Sequence, residues 1–148
     1  MDNATLERYN IASSIVFQYR QFVRSGGVLI VKNNKFKVAG YLRLSVEDGD
    51  KEVSDSIVSQ KNIIEDKIKS LGEKFELVDF YIDDGYTGLN TNRPNFQRML
   101  DDIEKKKVNC VITKDLSRLS RNNFEANYYI EMYFLEREIR YIAILVRS

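Results

Sequence analysis

The stretch KVAGYLRLS, residues 37–45, decides the fold. Its apolar residues run from Val38 to Leu44 between the turn-like pair Asn33 and Asn34 and a polar loop at 46–52, which reads as a strand over 37–43. Outward from it the pattern alternates. Ile57, Ile64, Ile68 and Leu71 form one helical stripe over 53–71, and Gly72 stops it. Phe75 to Ile82 is the next strand, and 83–92 is a loop of Asp, Gly, Thr and Asn. Pro94 opens a helix that carries Phe96, Met99, Leu100 and Ile103. Val108 to Thr113 is a third strand, 114–122 a polar segment, 123–138 a helix, and Arg140 to Val146 a fourth strand. Strands alternating with helices specify an α/β fold, a mostly parallel, doubly wound sheet with helices on both faces. Upstream, Leu6, Ile11, Ile15, Val16, Tyr19 and Phe22 keep helical spacing over 1–24 until Gly26 and Gly27, and Val28 to Lys32 is a possible strand. Residues 1–36 are thus read as an N-terminal extension and 37–148 as the main domain.

Composition narrows the chemistry. The 148 residues suffice for one domain with a core of its own. There is no histidine, which excludes Ser-His-Asp hydrolases, HExxH metalloproteases and other chemistry built on imidazole. The single Cys110 has no disulfide partner within the chain and lies in an apolar run, so a buried thiol and a reducing cytoplasmic setting are expected. With 23 basic and 22 acidic residues, the net charge of +1 gives no bulk attraction to nucleic acid or an anionic membrane. Any DNA affinity must come from a local basic cluster or from a separate domain. No apolar stretch is long enough to span a bilayer, and Ile11 to Val16 is too short for a secretory signal, so no membrane partner is expected.

In a doubly wound sheet the working crevice lies beyond the carboxyl ends of the strands. The first strand runs into Arg43 and Ser45, the second into Asp83 to Arg93, and the third into Lys114 to Arg121. The two-residue period of a strand puts Tyr41, Arg43 and Ser45 on one side. Taken alone, Ser45 could end an edge strand and cap a turn, or it could be a nucleophile with a guanidinium beside it. Arg118 and Arg121, three residues apart, would share one face of a helical turn, either as a solvated basic turn or as fork-shaped donors to a phosphate. Arg93 stands just before the proline-opened helix.

Together these segments resemble the catalytic domain of the serine recombinases, the resolvase and invertase family, and above all its large transposon-type branch. The resemblance covers residues 37–146. It is carried by YLRLS at 41–45, SIVSQ at 56–60, DDGYTG at 83–88 with RPNF at 93–96, and KDLSRLSRN at 114–122. It implies site-specific recombination of double-stranded DNA through a 5′-phosphoserine intermediate, with no cofactor and no metal. It implies Ser45 as nucleophile, and Arg43, Arg93, Arg118 and Arg121 as the clamp on the scissile phosphate. Gln60 and Asp84 correspond to supporting polar residues of the family, and Tyr41 is expected to pack or orient the strand. Where many members have an aspartate before the first arginine of the last motif, this chain has Ser117, and Asp115 is the candidate substitute. Family members continue into a dimerisation helix and a DNA-binding region, so the chain is expected to stop short of both, with homodimer and synaptic tetramer belonging to the complete protein. Two other readings stand beside this one. One is a non-catalytic module with the same fold. The other is a magnesium-dependent nuclease using Asp83, Asp84 and Asp115.

Overall fold

A computed structural model of the chain describes residues 35–44, 53–83 and 93–145. The expected helix over 1–24, the possible strand at 28–32, the loop 46–52 and Val146, the last residue of the expected fourth strand, lie outside them. Strand β1 spans Phe36–Arg43, helix α1 Val53–Leu71, β2 Phe75–Asp83, α2 Pro94–Glu104 and β3 Cys110–Thr113. A short helix α3 follows at Leu116–Leu119, then α4 at Asn123–Asn127, and β4 is Arg140–Ala143. The sheet is parallel throughout, with strand order β2-β1-β3-β4. Both edges of β1 are therefore paired, and the edge-strand reading of this segment is ruled out.

The two faces of β1 explain its sequence. Val38 and Leu42 face one way, onto Ile64 and Ile68 of α1, and Ala39 and Tyr41 face the other, onto Phe96 and Met99 of α2. A strand covered on both sides is apolar on both sides, hence its unbroken apolar run. The step from β1 to β2 runs one way along the sheet, and the steps from β2 to β3 and from β3 to β4 run the other. Crossovers of one hand then put α1 on one face and α2 and α4 on the opposite face. Gly40 is needed by packing. A Cβ there would stand 2.6 Å from Cδ1 and 2.8 Å from Cε1 of Phe80. Gly72, at φ 96°, ends α1 in the left-handed conformation that glycine takes without strain.

Four expected elements differ. The fourth strand ends at Ala143, with Ile144 and Leu145 beyond it. The third strand begins at Cys110 rather than Val108, although the Val108 side chain is buried. The segment 114–122 contains helix α3, and the expected helix over 123–138 is α-helical at its start and again briefly at Leu135 and Glu136. From Tyr128 to Phe134 it widens into a π-helical segment. There Tyr129 lies edge-on to Phe96 at 4.9 Å and to Tyr133 at 5.7 Å, and Phe134 stacks on Tyr141 of β4 at 5.9 Å. No described helix is long and apolar enough to cross a membrane.

Candidate functional site

The strand order reverses between β1 and β3, because the chain leaves β1 toward one edge and returns past it to the other. At such a switch point the connections leaving the two strands separate and open a crevice. Arg43 ends β1 on this crevice, and the segment after Thr113 leaves β3 beside it. The third contributor is the connection from β2 to α2, which ends at Arg93.

The start of α2 is fixed by a carboxylate from the sheet. Asp83 closes β2 with its side chain buried, and its Oδ1 accepts the Asn95 amide at 2.9 Å. Its Oδ2 accepts the Phe96 amide at 2.8 Å and the Tyr41 hydroxyl at 2.9 Å. Pro94 has no amide to satisfy, and Arg93 at the N-cap position makes no capping bond of its own. Asp83 therefore caps α2 from a distance, where helix dipole and orphan amides both favour negative charge. The Tyr41 hydroxyl thus holds one oxygen of this carboxylate, and its ring packs edge-on against Phe96 at 5.2 Å. Burial, and then the neighbouring Asp83 charge, hold the Tyr41 hydroxyl well above its ordinary pKa. The commitment of both Asp83 oxygens removes it from the free carboxylates that the metal-nuclease reading needs.

The arginines are held mostly by main-chain carbonyls. Arg43 Nη2 donates to the Ser117 carbonyl, and Arg118 Nη1 donates to the Arg43 carbonyl at 2.7 Å. β1 and α3 are thus tied together by reciprocal guanidinium bonds. Arg93 Nη1 donates to the Leu119 carbonyl, Nη2 to Glu125 Oε1 at 2.9 Å, and the guanidinium lies 3.9 Å over the Phe96 ring. The Arg43 pKa is lowered, first by burial and then by the positive charge of Arg121. Arg93 and Arg118 push it the same way, while Tyr41 opposes them. Four guanidiniums therefore share one electrostatic neighbourhood, and Arg43 Nε is buried without a hydrogen-bond partner among the described residues.

Arg118 and Arg121 do not share a helical face. α3 ends at Leu119, and Ser120 is extended at φ −160°, ψ 144°, so Arg118 is buried and Arg121 lies beyond the helix, exposed. Asp115 precedes α3, its Oδ1 accepting the Ser117 hydroxyl at 2.5 Å and its Oδ2 standing 4.0 Å from Arg118 Nε. It thus stands beside Arg118, the first arginine of that motif. Gln60 is buried in α1, where Nε2 donates to Ser56 Oγ at 3.3 Å and Oε1 has no partner among the described residues. Ser45 and Asp84 lie outside the described residues. Glu125, which touches both Arg93 and Ser120, was not legible as a site residue. Its signal is the spacing Asn122 to Glu125, in which Asn122 caps α4 through the Phe124 amide at 2.9 Å. Cys110 is fully buried and its thiol is pushed up to about 12 by that burial, which makes it a core residue.

The family described as "Resolvase, N terminal domain" matches residues 38–144. Among solved structures the chain is similar to the N-terminal catalytic domain of TP901-1 integrase, at 28% identity over 73% of this chain and 76% of that one, with a TM-score of 0.59. It is also similar to a resolvase family site-specific recombinase from Streptococcus pneumoniae, at 26% identity over 74% and 72%, with a TM-score of 0.60. The C-terminal catalytic domain of ISC1926 TnpA, an IS607-like serine recombinase, shares the fold at 21% identity over 76% and 72%, with a TM-score of 0.60. No match was found among curated proteins.

Proposed function

The chain belongs to the resolvase N-terminal domain family and has the fold of a serine-recombinase catalytic domain; on that premise we propose that it cleaves and rejoins double-stranded DNA by transesterification through Ser45. The observation that carries the reading is the gathering of Arg43, Arg93, Arg118 and Arg121 at the switch point, two residues along the chain from that serine. The Ser45 Oγ–phosphorus bond forms as the phosphorus–O3′ bond breaks. The products are a 5′-phosphoserine and a free 3′-hydroxyl, so the serine proton is balanced by the proton on the leaving oxygen. Attack by a 3′-hydroxyl reverses the step and restores the serine. Bond energy is conserved in the ester, which is what rejoining to a new partner requires.

The arginines' role is electrostatic. Phosphoryl transfer spreads negative charge over the equatorial oxygens, and fork-shaped donors already in place stabilise it without reorganisation. Arg43 and Arg118, braced on each other's segment, form the fixed part of this clamp. Arg93 and Arg121 complete it from the two adjoining connections. Guanidinium charge fills the part that a divalent metal has in other phosphoryl transferases, so the reading calls for no cofactor. Gln60, Asp84 and Asp115 are assigned as supporting polar groups, and Tyr41 as the residue that orients Asp83. The partner is duplex DNA, reached as a homodimer that pairs into a synaptic tetramer, in the cytoplasm.

The test is the covalent intermediate. Protein incubated with duplex DNA and run on a denaturing gel should give a protein–DNA adduct that Ser45→Ala abolishes. Removal of one preorganised oxyanion donor costs about 2.7–4 kcal/mol of transition-state stabilisation, so Arg118→Ala should slow adduct formation roughly 100- to 1,000-fold. An adduct that persists in Ser45→Ala would refute the assignment of the nucleophile. Wild-type protein that folds, binds DNA and yields no adduct would favour the non-catalytic module.

A further inference from the structure

Arg93 is the one arginine of the cluster on the β2–α2 connection, and its backbone does not by itself direct the side chain toward the others. It stands at φ −119°, ψ 79° before α2, and its side chain makes no bond to that helix's first turn. What turns it is the opposite segment. Both terminal nitrogens donate across the crevice, Nη1 to the Leu119 carbonyl and Nη2 to Glu125 Oε1 at 2.9 Å, while Phe96 supports the guanidinium face from below. The other oxygen of the same carboxylate accepts the hydroxyl of Ser120, the residue just before Arg121. Ser120 Oγ in turn accepts the Asn122 amide at 3.1 Å, where α4 begins. Glu125 thus closes a ring that contains Arg93, the 118–121 turn and the first turn of α4.

We propose that Glu125 is a positioning residue, whose carboxylate ties Arg93 to the turn bearing Arg118 and Arg121 and so sets the spacing of the phosphate clamp before DNA arrives. This rests on the reading of the arginines as a phosphodiester site. The physical need is plain. Guanidiniums gathered in one crevice repel, and the Leu119 carbonyl offers direction but only a partial charge. The Arg93 side chain is 11% exposed and that of Glu125 42%, so the ion pair is partly shielded from water and firmer than a surface pair. Glu125 takes one hydrogen from Nη2 and the Leu119 carbonyl one from Nη1, which leaves three of the five N–H donors of Arg93 for a ligand.

Glu125→Ala removes the tether, and Glu125→Gln removes the charge while keeping an acceptor oxygen for Arg93 and Ser120. Both are compared with wild type by melting temperature, by NMR of the arginine side-chain N–H groups, by titration with dimethyl phosphate as a diester probe, and by the rate of DNA adduct formation. The wild-type Arg93 signals, assigned with Arg93→Lys, should show a guanidinium restrained in rotation, and Glu125→Ala should free it. Displacing a clamp member by about an ångström can cost on the order of 100-fold, and that is the loss expected in adduct rate for Glu125→Ala. Glu125→Gln, which keeps the tether but not the charge, should recover part of that loss, although the two variants melt at similar temperatures. Three results would overturn the proposal alone. They are equal impairment of both variants in step with their melting temperatures, unchanged dimethyl phosphate shifts and rate in Glu125→Ala, or a faster reaction in both variants. Wild-type arginine signals that dimethyl phosphate does not move would take down the functional reading and this proposal with it.

Discussion

Asp83 is where sheet, helix and site are joined, and its removal should be the most damaging single polar change in the described part of the chain. The carboxylate is 2% exposed and accepts from the Asn95 amide, the Phe96 amide and the Tyr41 hydroxyl. Asp83→Ala strips all of them at once. The Asn95 amide is partly exposed and can turn to water, but the Phe96 amide and the Tyr41 hydroxyl sit in the core. A hydrogen bond to a charged group is worth roughly 1.5–3 kcal/mol net, so two donors left buried give a loss of about 3–6 kcal/mol. Loss of an ordinary N-cap, about 0.5–2 kcal/mol, is the lower comparison. For a chain of this size each kcal/mol moves the melting temperature by roughly 2–4 °C, so a loss of about 4 kcal/mol should lower it by about 8–16 °C.

Tyr41→Phe probes the same carboxylate from the other side. It leaves Asp83 with both amides, so it should cost only about 1–1.5 kcal/mol. The measurement is urea unfolding followed by circular dichroism for each single variant and for Tyr41→Phe with Asp83→Ala. Because the two residues share one bond, the double variant should be less destabilised than the sum of the singles, by roughly 1 kcal/mol. A loss below about 1.5 kcal/mol for Asp83→Ala, or strict additivity in the cycle, would refute the remote-cap argument.

Two further outcomes follow from packing and burial. Gly40→Ala puts a Cβ at 2.6 and 2.8 Å from the Phe80 ring carbons and 3.4 Å from Ile64 Cγ2, and should destabilise by about 1–3 kcal/mol, with partial recovery on adding Phe80→Leu. A neutral Gly40→Ala in urea titration contradicts the close approach. Cys110 should resist maleimide labelling at pH 8 in folded protein and react at once in urea, as mass spectrometry would record. Its thiol ionises near 8.5 when unfolded and only at about 12 when folded, so the burial contribution is intact at lower pH and lost as pH rises between those values. Labelling of the native protein at pH 8 would show that the strand opens.

The sheet was legible because its central strands are buried on both faces. Val38 to Leu42 and Cys110 to Ile112 carry no polar side chain except the Tyr41 hydroxyl, the pattern of a strand covered by helices on both sides. Helix α2 was legible from Pro94 and from the spacing of Phe96, Met99 and Ile103, all of them buried. What the sequence does not reveal is partnership across distance. Asp83 reads as an acid at a strand end, suited equally to a metal or a cap, until Asn95 and Phe96 are placed against it. The spacing of Arg118 and Arg121 suggests one helical face, but Asn122 and Glu125 form a capping pattern that begins a new helix and leaves Arg121 outside both. The π-helical widening at Tyr128 to Phe134 also escapes local pattern, since the rings it accommodates lie on α2 and β4 as well as on the segment itself.

The chain's near-neutral charge and its arginine cluster are compatible for a reason visible in the bonds. Had every guanidinium been held by a carboxylate, the site would be well ordered and electrically cancelled. Instead Arg43 rests on the Ser117 carbonyl, Arg118 on the Arg43 carbonyl and Arg93 on the Leu119 carbonyl. Carbonyl dipoles fix direction at short range and subtract little from the field farther out, where an approaching anion would feel it. Full negative charge enters this network at Glu125, with Asp115 4.0 Å from Arg118 Nε. Positive charge is thereby concentrated at one crevice of a chain with a net charge of +1, which is what the proposed phosphodiester site requires. The same arrangement predicts where salt will act. Screening should weaken anion binding at the crevice while the carbonyl-held arginine geometry, which depends on short-range hydrogen bonds, persists.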